Sequence, residues 1–66
     1  MTSKVADYLD SERGAGRAFD AYMTALAAHS TDVATAQATY AAASARCSAM
    51  WTSLPLAARR AMRRAR

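Results

Sequence analysis

At 66 residues the chain has room for one small domain, whose core must be thin because much of its 53% apolar share is alanine. The single cysteine excludes an internal disulfide, and the single histidine leaves no metal-ligand spacing. No nucleophile lies beside a base and no loop has the composition of a phosphate cradle, so we expect no enzyme, no metal and no cofactor. A domain of this size usually needs a partner to be stable.

The sequence also bears on the compartment. No apolar run approaches the roughly 18–20 residues needed to cross a membrane. Asp7, Asp10 and Glu12 make the first residues too acidic for a secretory signal or a transit peptide. We therefore expect an intracellular, reducing compartment, within which the sequence does not separate nucleus, mitochondrion and virion.

The first 16 residues predict a short helical lead. Ser3 can cap a turn or two that carries Val5, Tyr8 and Leu9 at i, i+3 and i+4 spacing. Gly14-Ala15-Gly16 then predicts a break. We therefore expect residues 1–16 to form a lead and a glycine linker, and residues 17–66 to form the folded domain.

The first main helix is predicted from about Arg17 to His29, with His29 capping its end. Its apolar residues follow the i, i+3, i+4, i+7 pattern of a helix with one buried side. They are Phe19, Tyr22, Met23 and Leu26.

The second helix is predicted from an N-cap at Ser30-Thr31-Asp32 to about Trp51. It is rich in alanine, and its inward positions alternate at spacings of three and four, which is a heptad pattern. These positions are Val33, Ala36, Tyr40, Ala43, Cys47 and Met50, continued by Leu54. Such small residues favour close antiparallel packing. Pro55 then ends this helix and opens a third.

The third helix carries most of the chain's net charge of +4. Five of the nine basic residues fall in the last eight positions, and they share one side of a helix opposite a mostly alanine side. They are Arg59, Arg60, Arg63, Arg64 and Arg66. The concentration of charge predicts an anionic partner for this end of the molecule.

The stretch from Ser44 to Met62 resembles the second-to-third helix junction of the high-mobility-group (HMG) box. Boxes of that family have a tryptophan near the end of helix 2, then an apolar, a basic and a large apolar residue at fixed spacings. Trp51, Leu54, Arg59 and Met62 stand at those places.

The resemblance extends over roughly residues 18–65. Phe19 and Tyr22 look like the aromatic cluster of the family's first helix, and Tyr40 lies where some boxes place a side chain that wedges between base pairs. It implies an all-α, three-helix, HMG-box-like fold that binds nucleic acid in an architectural or packaging role. The chain lacks the family's basic N-terminal strand and has a short third helix.

These patterns assign the candidate residues. The predicted core consists of Phe19, Tyr22, Leu26, Cys47, Trp51, Leu54 and Met62. The predicted contacts to nucleic acid or another anionic partner are Arg59, Arg60, Arg63, Arg64, Arg66 and Tyr40. For Tyr40 the alternative is burial against the first helix, because it occupies an inward heptad position.

Two other functions stay open. Residues 21–45 contain one charged residue, Asp32, so both faces of the second helix suit packing against other proteins. This pattern is typical of a small structural subunit of a mitochondrial complex, a ribosome or a virion. A membrane-surface role for the last helix is weaker, because its alanine side is too small to insert strongly.

Overall fold

The computed structural model describes residues 3–65, which form three α-helices. Helix α1 spans Lys4–Ala27, α2 spans Val33–Ser53 and α3 spans Leu56–Ala65. The described part of the chain contains no strand. The predicted all-α, three-helix fold is confirmed.

Helix α1 begins where the sequence predicts, because the Ala6 N–H donates a hydrogen bond to Ser3 Oγ (3.0 Å). The predicted break at Gly14-Ala15-Gly16 is wrong, since α1 continues through it without a positive φ. Each glycine costs about 1 kcal/mol relative to alanine in a helix. Packing against α2 on both sides of the glycines offsets that cost, as tertiary contacts commonly do for helices.

Helix α1 ends in a Schellman motif. The Ser30 N–H donates to the Ala25 carbonyl (3.0 Å), and the His29 N–H donates to the Leu26 carbonyl (3.1 Å). His29 occupies the left-handed position of this motif, with φ 51°. It therefore terminates the helix through its backbone, in a conformation that glycine adopts more readily.

Helices α1 and α2 form an antiparallel hairpin. Tyr8, early in α1, contacts Trp51, late in α2, with ring centroids 5.1 Å apart. Phe19, farther along α1, contacts Tyr40, nearer the start of α2, at 5.3 Å. The predicted heptad on α2 is confirmed, because each of its members is half-buried, as are Ser44 and Trp51 beside them.

The face of α1 that meets α2 follows a heptad of its own, and this heptad runs straight through the glycine segment. Its members are Tyr8, Ser11, Ala15, Ala18, Tyr22 and Ala25, all buried or half-buried. Mostly small residues on both helices allow the close approach that the sequence predicts.

The core is as thin as the composition requires. Within residues 3–65, Leu54 and Tyr8 are the buried hydrophobic residues, with 3% and 7% of their surfaces exposed. The placement of Phe19 and Leu26 in the core is wrong, because they are 42% and 41% exposed. The heptad that starts at Tyr8 faces α2, so Phe19 and Leu26 lie at the side of α1. The other predicted core residues, Tyr22, Cys47, Trp51 and Met62, are half-buried.

The molecule is elongated, with extents of 43 × 23 × 18 Å. Its Cα radius of gyration is 14.2 Å, against about 11 Å for a compact chain of this length. Its accessible surface is 4836 Å², roughly 800 Å² more than a compact monomer of 7.0 kDa would expose. Two long helices and one short helix therefore leave much of the side-chain surface uncovered.

Candidate nucleic-acid interface

Helix α3 begins two residues after the buried Leu54. The carbonyl of Pro55, which precedes the helix, accepts a hydrogen bond from the Arg59 N–H (3.1 Å). Its sequence alternates pairs of arginines with alanine and methionine, which separates the basic side from the small apolar side. Arg60, Arg63 and Arg64 are exposed. Arg66, the last arginine in the predicted set, lies outside the described residues.

Arg63 is held in place by Trp51. Its guanidinium carbon lies 5.5 Å from the centroid of the indole ring, within the range of a cation–π interaction. The same indole packs against Tyr8 on the other side of the hairpin end. Trp51 thus links all three helices, and its half-buried position agrees with a packing role.

Arg59 differs from its neighbours. It is half-buried, and its Nε is buried with no hydrogen-bond partner among the described residues. A buried hydrogen-bond donor without a partner lowers the stability of the fold. Part of the Arg59 side chain therefore packs at the hairpin end and is not accessible to a ligand. The accessible charge of the described helix is therefore carried by Arg60, Arg63 and Arg64.

Helices α2 and α3 contribute no negative charge. No aspartate or glutamate follows Asp32 in the sequence, so α2 and α3 contribute arginines alone to the charged surface. Within residues 3–65, the four α3 arginines make no ion pair. Unneutralised guanidiniums within one short helix produce a local positive potential that attracts anions.

Tyr40 is not part of this cluster. It is half-buried against α1, where its ring packs edge-on against Phe19 and stacks on Tyr22 at a centroid distance of 6.3 Å and an interplanar angle of 14°. It precedes Trp51 by 11 residues of α2, which is about 16 Å along the helix. The structure therefore brings Arg63 to Trp51 and places Tyr40 apart from the arginines.

One side of the hairpin carries an open groove of about 600 Å³, which we call the aromatic groove. Its walls are aromatic and its floor is made of small residues, none of them charged. It is lined by Tyr8, Ala15, Gly16, Phe19, Tyr40, Ser44, Cys47, Ser48, Trp51 and Thr52. Helix α3 contributes no described residue to this lining, so the groove stays open along its length.

A smaller groove of about 420 Å³ runs between α1 and α2 and has a different, polar lining. Arg17 and Arg46 approach it from the two helices, and Asp10 lies beside them. The remaining lining is small: Ser11, Gly14, Ala18, Thr39, Ala42 and Ala43. The Asp10 carboxylate offsets part of the positive charge of the two guanidiniums in this groove.

Sequence reasoning missed Tyr8 as a core residue. The signal was present, because the 3–4 alternation that passes through Tyr22 reaches Tyr8 when it is extended backwards. Treating the glycines as a break stopped that extension. Tyr8 is fixed further by donating a hydrogen bond from its hydroxyl to Glu12 Oε2 (2.7 Å).

Neither a metal-binding cluster nor a membrane-spanning helix is present in the described part of the chain. Residues 3–65 contain no group of three or more His, Cys, Asp or Glu side chains that could hold a metal ion. None of their helices combines the length and the apolar character needed to cross a membrane. No family model, curated protein or solved structure matches the chain.

Proposed function

We propose that this chain is a non-enzymatic nucleic-acid-binding module, architectural or packaging in character, that holds the phosphate backbone through α3. The observation that carries the proposal is the set of exposed arginines on a ten-residue helix, one of them held by Trp51. A guanidinium fixed in advance loses less conformational freedom on binding than a mobile one. Arginine also donates paired hydrogen bonds that match phosphate oxygens.

The contact is to the backbone rather than to the bases. Guanidiniums are the polar side-chain groups of α3, and their paired donors fit the phosphate oxygens of any sequence. At ten residues it is about 15 Å long, enough to follow a few successive phosphates. Binding of this kind is strong at low salt, tolerant of sequence and steeply weakened as salt rises.

The resemblance to the HMG box favours nucleic acid over an acidic protein or a lipid surface. We leave Tyr40 out of the proposed contact, because its ring is already packed against Phe19 and Tyr22. The proposed module therefore binds DNA through the α3 end of the protein, without a side chain inserted between base pairs.

The test is fluorescence anisotropy of labelled duplex DNA titrated with the full chain and with a matched pair of double variants. Arg60→Gln/Arg64→Gln removes two exposed arginines at i, i+4 spacing from α3. Arg13→Gln/Arg17→Gln removes two exposed arginines at the same spacing from α1, with the same change in net charge. We expect the first variant to bind about tenfold or more weakly at low salt, and the second to stay close to wild type.

Equal losses in the two variants would mean that net charge, and not α3, governs binding. Absence of binding by the wild-type chain near physiological salt would reject the proposal. Circular dichroism of both variants controls for helix content.

A second candidate function is that of a small structural subunit of a larger assembly. The uncharged aromatic groove and the exposed Phe19, Met23 and Leu26 favour it, because such surface is usually covered by protein. Cooperative unfolding of the isolated monomer at low micromolar concentration would count against this candidate, since a dependent subunit should not fold alone.

A further inference from the structure

An apolar surface continues from the aromatic groove towards the loop end of the hairpin. Phe19 lines the groove, and Met23 and Leu26 follow it at i+4 and i+7 on the same side of α1. These three residues, which we call the apolar stripe, are 42%, 38% and 41% exposed. From Tyr8 to Leu26 the surface is about 27 Å long, the length of a packed helix.

The excess surface of the whole chain is of the size that a stable dimer buries. The chain exposes roughly 800 Å² more than a compact monomer of its mass, and a standard protein interface buries about 800 Å² on each partner. Among the described residues of the two hairpin helices Tyr8 is the buried hydrophobic residue, so the hairpin lacks the core that helical bundles build from facing hairpins.

We propose that a second copy of this chain covers the aromatic groove and the apolar stripe, so that two hairpins pack antiparallel into a four-helix bundle. The two-fold axis passes near residue 17 of α1, which is the midpoint of the surface that runs from Tyr8 to Leu26. Symmetry of this kind places the same patch on both partners and closes the assembly at two copies.

Concave and convex parts of the surface match under this symmetry. The stripe end of one copy, at Leu26, meets the groove end of the other, at Tyr8 and Trp51. Phe19 meets the small residues Ala15 and Gly16, and a Cβ built on Gly16 has no atom within 4 Å, so space is available there.

The charges also match. Residues 18–45, which form the loop half of the hairpin, carry Asp20 and Asp32 and no lysine or arginine. The opposite half, residues 1–17 and 46–66, carries all nine lysines and arginines against Asp7, Asp10 and Glu12, a net charge of +6. Antiparallel pairing sets the acidic half of one copy beside the basic half of the other and keeps the two α3 helices at opposite ends, whereas parallel pairing would bring like charges together.

The test is sedimentation equilibrium of the full chain over a wide range of micromolar concentrations. We expect a monomer–dimer equilibrium in the wild type. Leu26→Glu should raise the dimer dissociation constant at least tenfold, because it places a carboxylate in an apolar interface. Leu56→Glu is the matched control, since Leu56 is 53% exposed on α3 and lies outside the proposed surface; it should leave the dimer unchanged.

A second measurement guards against a variant that merely misfolds. Trp51, the single tryptophan, lies at the groove end, so dimerisation should shift its fluorescence to shorter wavelength as concentration rises. Leu26→Glu should lose this shift while keeping the wild-type helix content by circular dichroism. A wild-type chain that stays monomeric would overturn the proposal and leave the surface to a different protein. A dimer that Leu26→Glu leaves intact would overturn it as well.

Discussion

At the scale of single residues, Leu54 and Leu56 show how little of this chain is buried. They stand two positions apart, yet Leu54 is 3% exposed and Leu56 is 53% exposed. Leu54 closes the junction between α2 and α3, whereas Leu56 lies in the first turn of α3 and faces outward. The same substitution at these two positions should therefore have very different costs.

Leu54→Ala should lower the free energy of unfolding by about 2–4 kcal/mol, because it leaves a cavity in a small core. That loss is most of the stability that a core of this size supplies. Leu56→Ala should change the same quantity by less than about 0.5 kcal/mol. Urea denaturation followed by circular dichroism, with all proteins at one concentration, measures both. Similar losses at the two positions would contradict the described junction.

His29 offers a second test at the residue scale. Its left-handed backbone conformation, with φ 51°, is costly for a residue with a Cβ atom. His29→Gly should therefore raise the free energy of unfolding by about 0.5–1 kcal/mol, and His29→Ala should give no such gain. Thermal and urea unfolding of the two variants can be compared directly. A loss of stability in His29→Gly would contradict the Schellman motif at the end of α1.

At the scale of the helices, the continuous α1 is the feature that most distinguishes the structure from the sequence prediction. Gly14 lies inside the helix, and a Cβ built there has no atom within 4 Å. Gly14→Ala should consequently stabilise the protein by about 0.5–1 kcal/mol, because alanine is the better helix former and has room. Ala41→Gly, at an exposed position inside α2, is the reverse change and should destabilise by a similar amount. If Gly14→Ala lowered stability, a helix broken at this point would be the better description of the chain in solution.

The helices themselves could be predicted because their signals are local. The Ser3 cap, the heptad from Val33 to Met50 and the stop at Pro55 each depend on a few neighbouring residues, and the structure shows all of them. The break at Gly14-Ala15-Gly16 was a local signal as well. It was overridden by contacts with α2, which no local pattern contains.

The burial of α1 could not be predicted for a related reason. The spacing of Phe19, Tyr22, Met23 and Leu26 predicts a helix with one apolar side. Spacing alone does not determine how that helix is rotated against its neighbour. The rotation is set by Tyr8 and the small residues that follow it in register. The arginine cluster was predicted as a set, whereas the contact of Arg63 with Trp51 and the partial burial of Arg59 depend on how α3 folds back.

At the scale of the whole molecule, the chain divides into an end that carries charge and a body that carries uncovered apolar surface. Residues 1–17 and 46–66 form the basic end, with a net charge of +6, and residues 18–45, with Asp20 and Asp32, form an acidic and mostly apolar end. The proposed nucleic-acid contact uses α3 at the basic end, and the proposed self-association uses the aromatic groove and the apolar stripe, which run along the hairpin between the two ends. A two-fold dimer would present two α3 helices facing away from each other, an arrangement suited to joining two nucleic-acid segments.

The measurement that tests the central claim most directly is the salt dependence of duplex DNA binding. The logarithm of the binding constant against the logarithm of salt concentration should have a slope of about −3 for the wild type, since each neutralised phosphate contributes about −0.9. Arg60→Gln/Arg64→Gln should reduce the magnitude of the slope by about 2, and Arg13→Gln/Arg17→Gln should leave it unchanged. A slope that the α3 variant does not alter would contradict the assignment of α3 as the nucleic-acid contact.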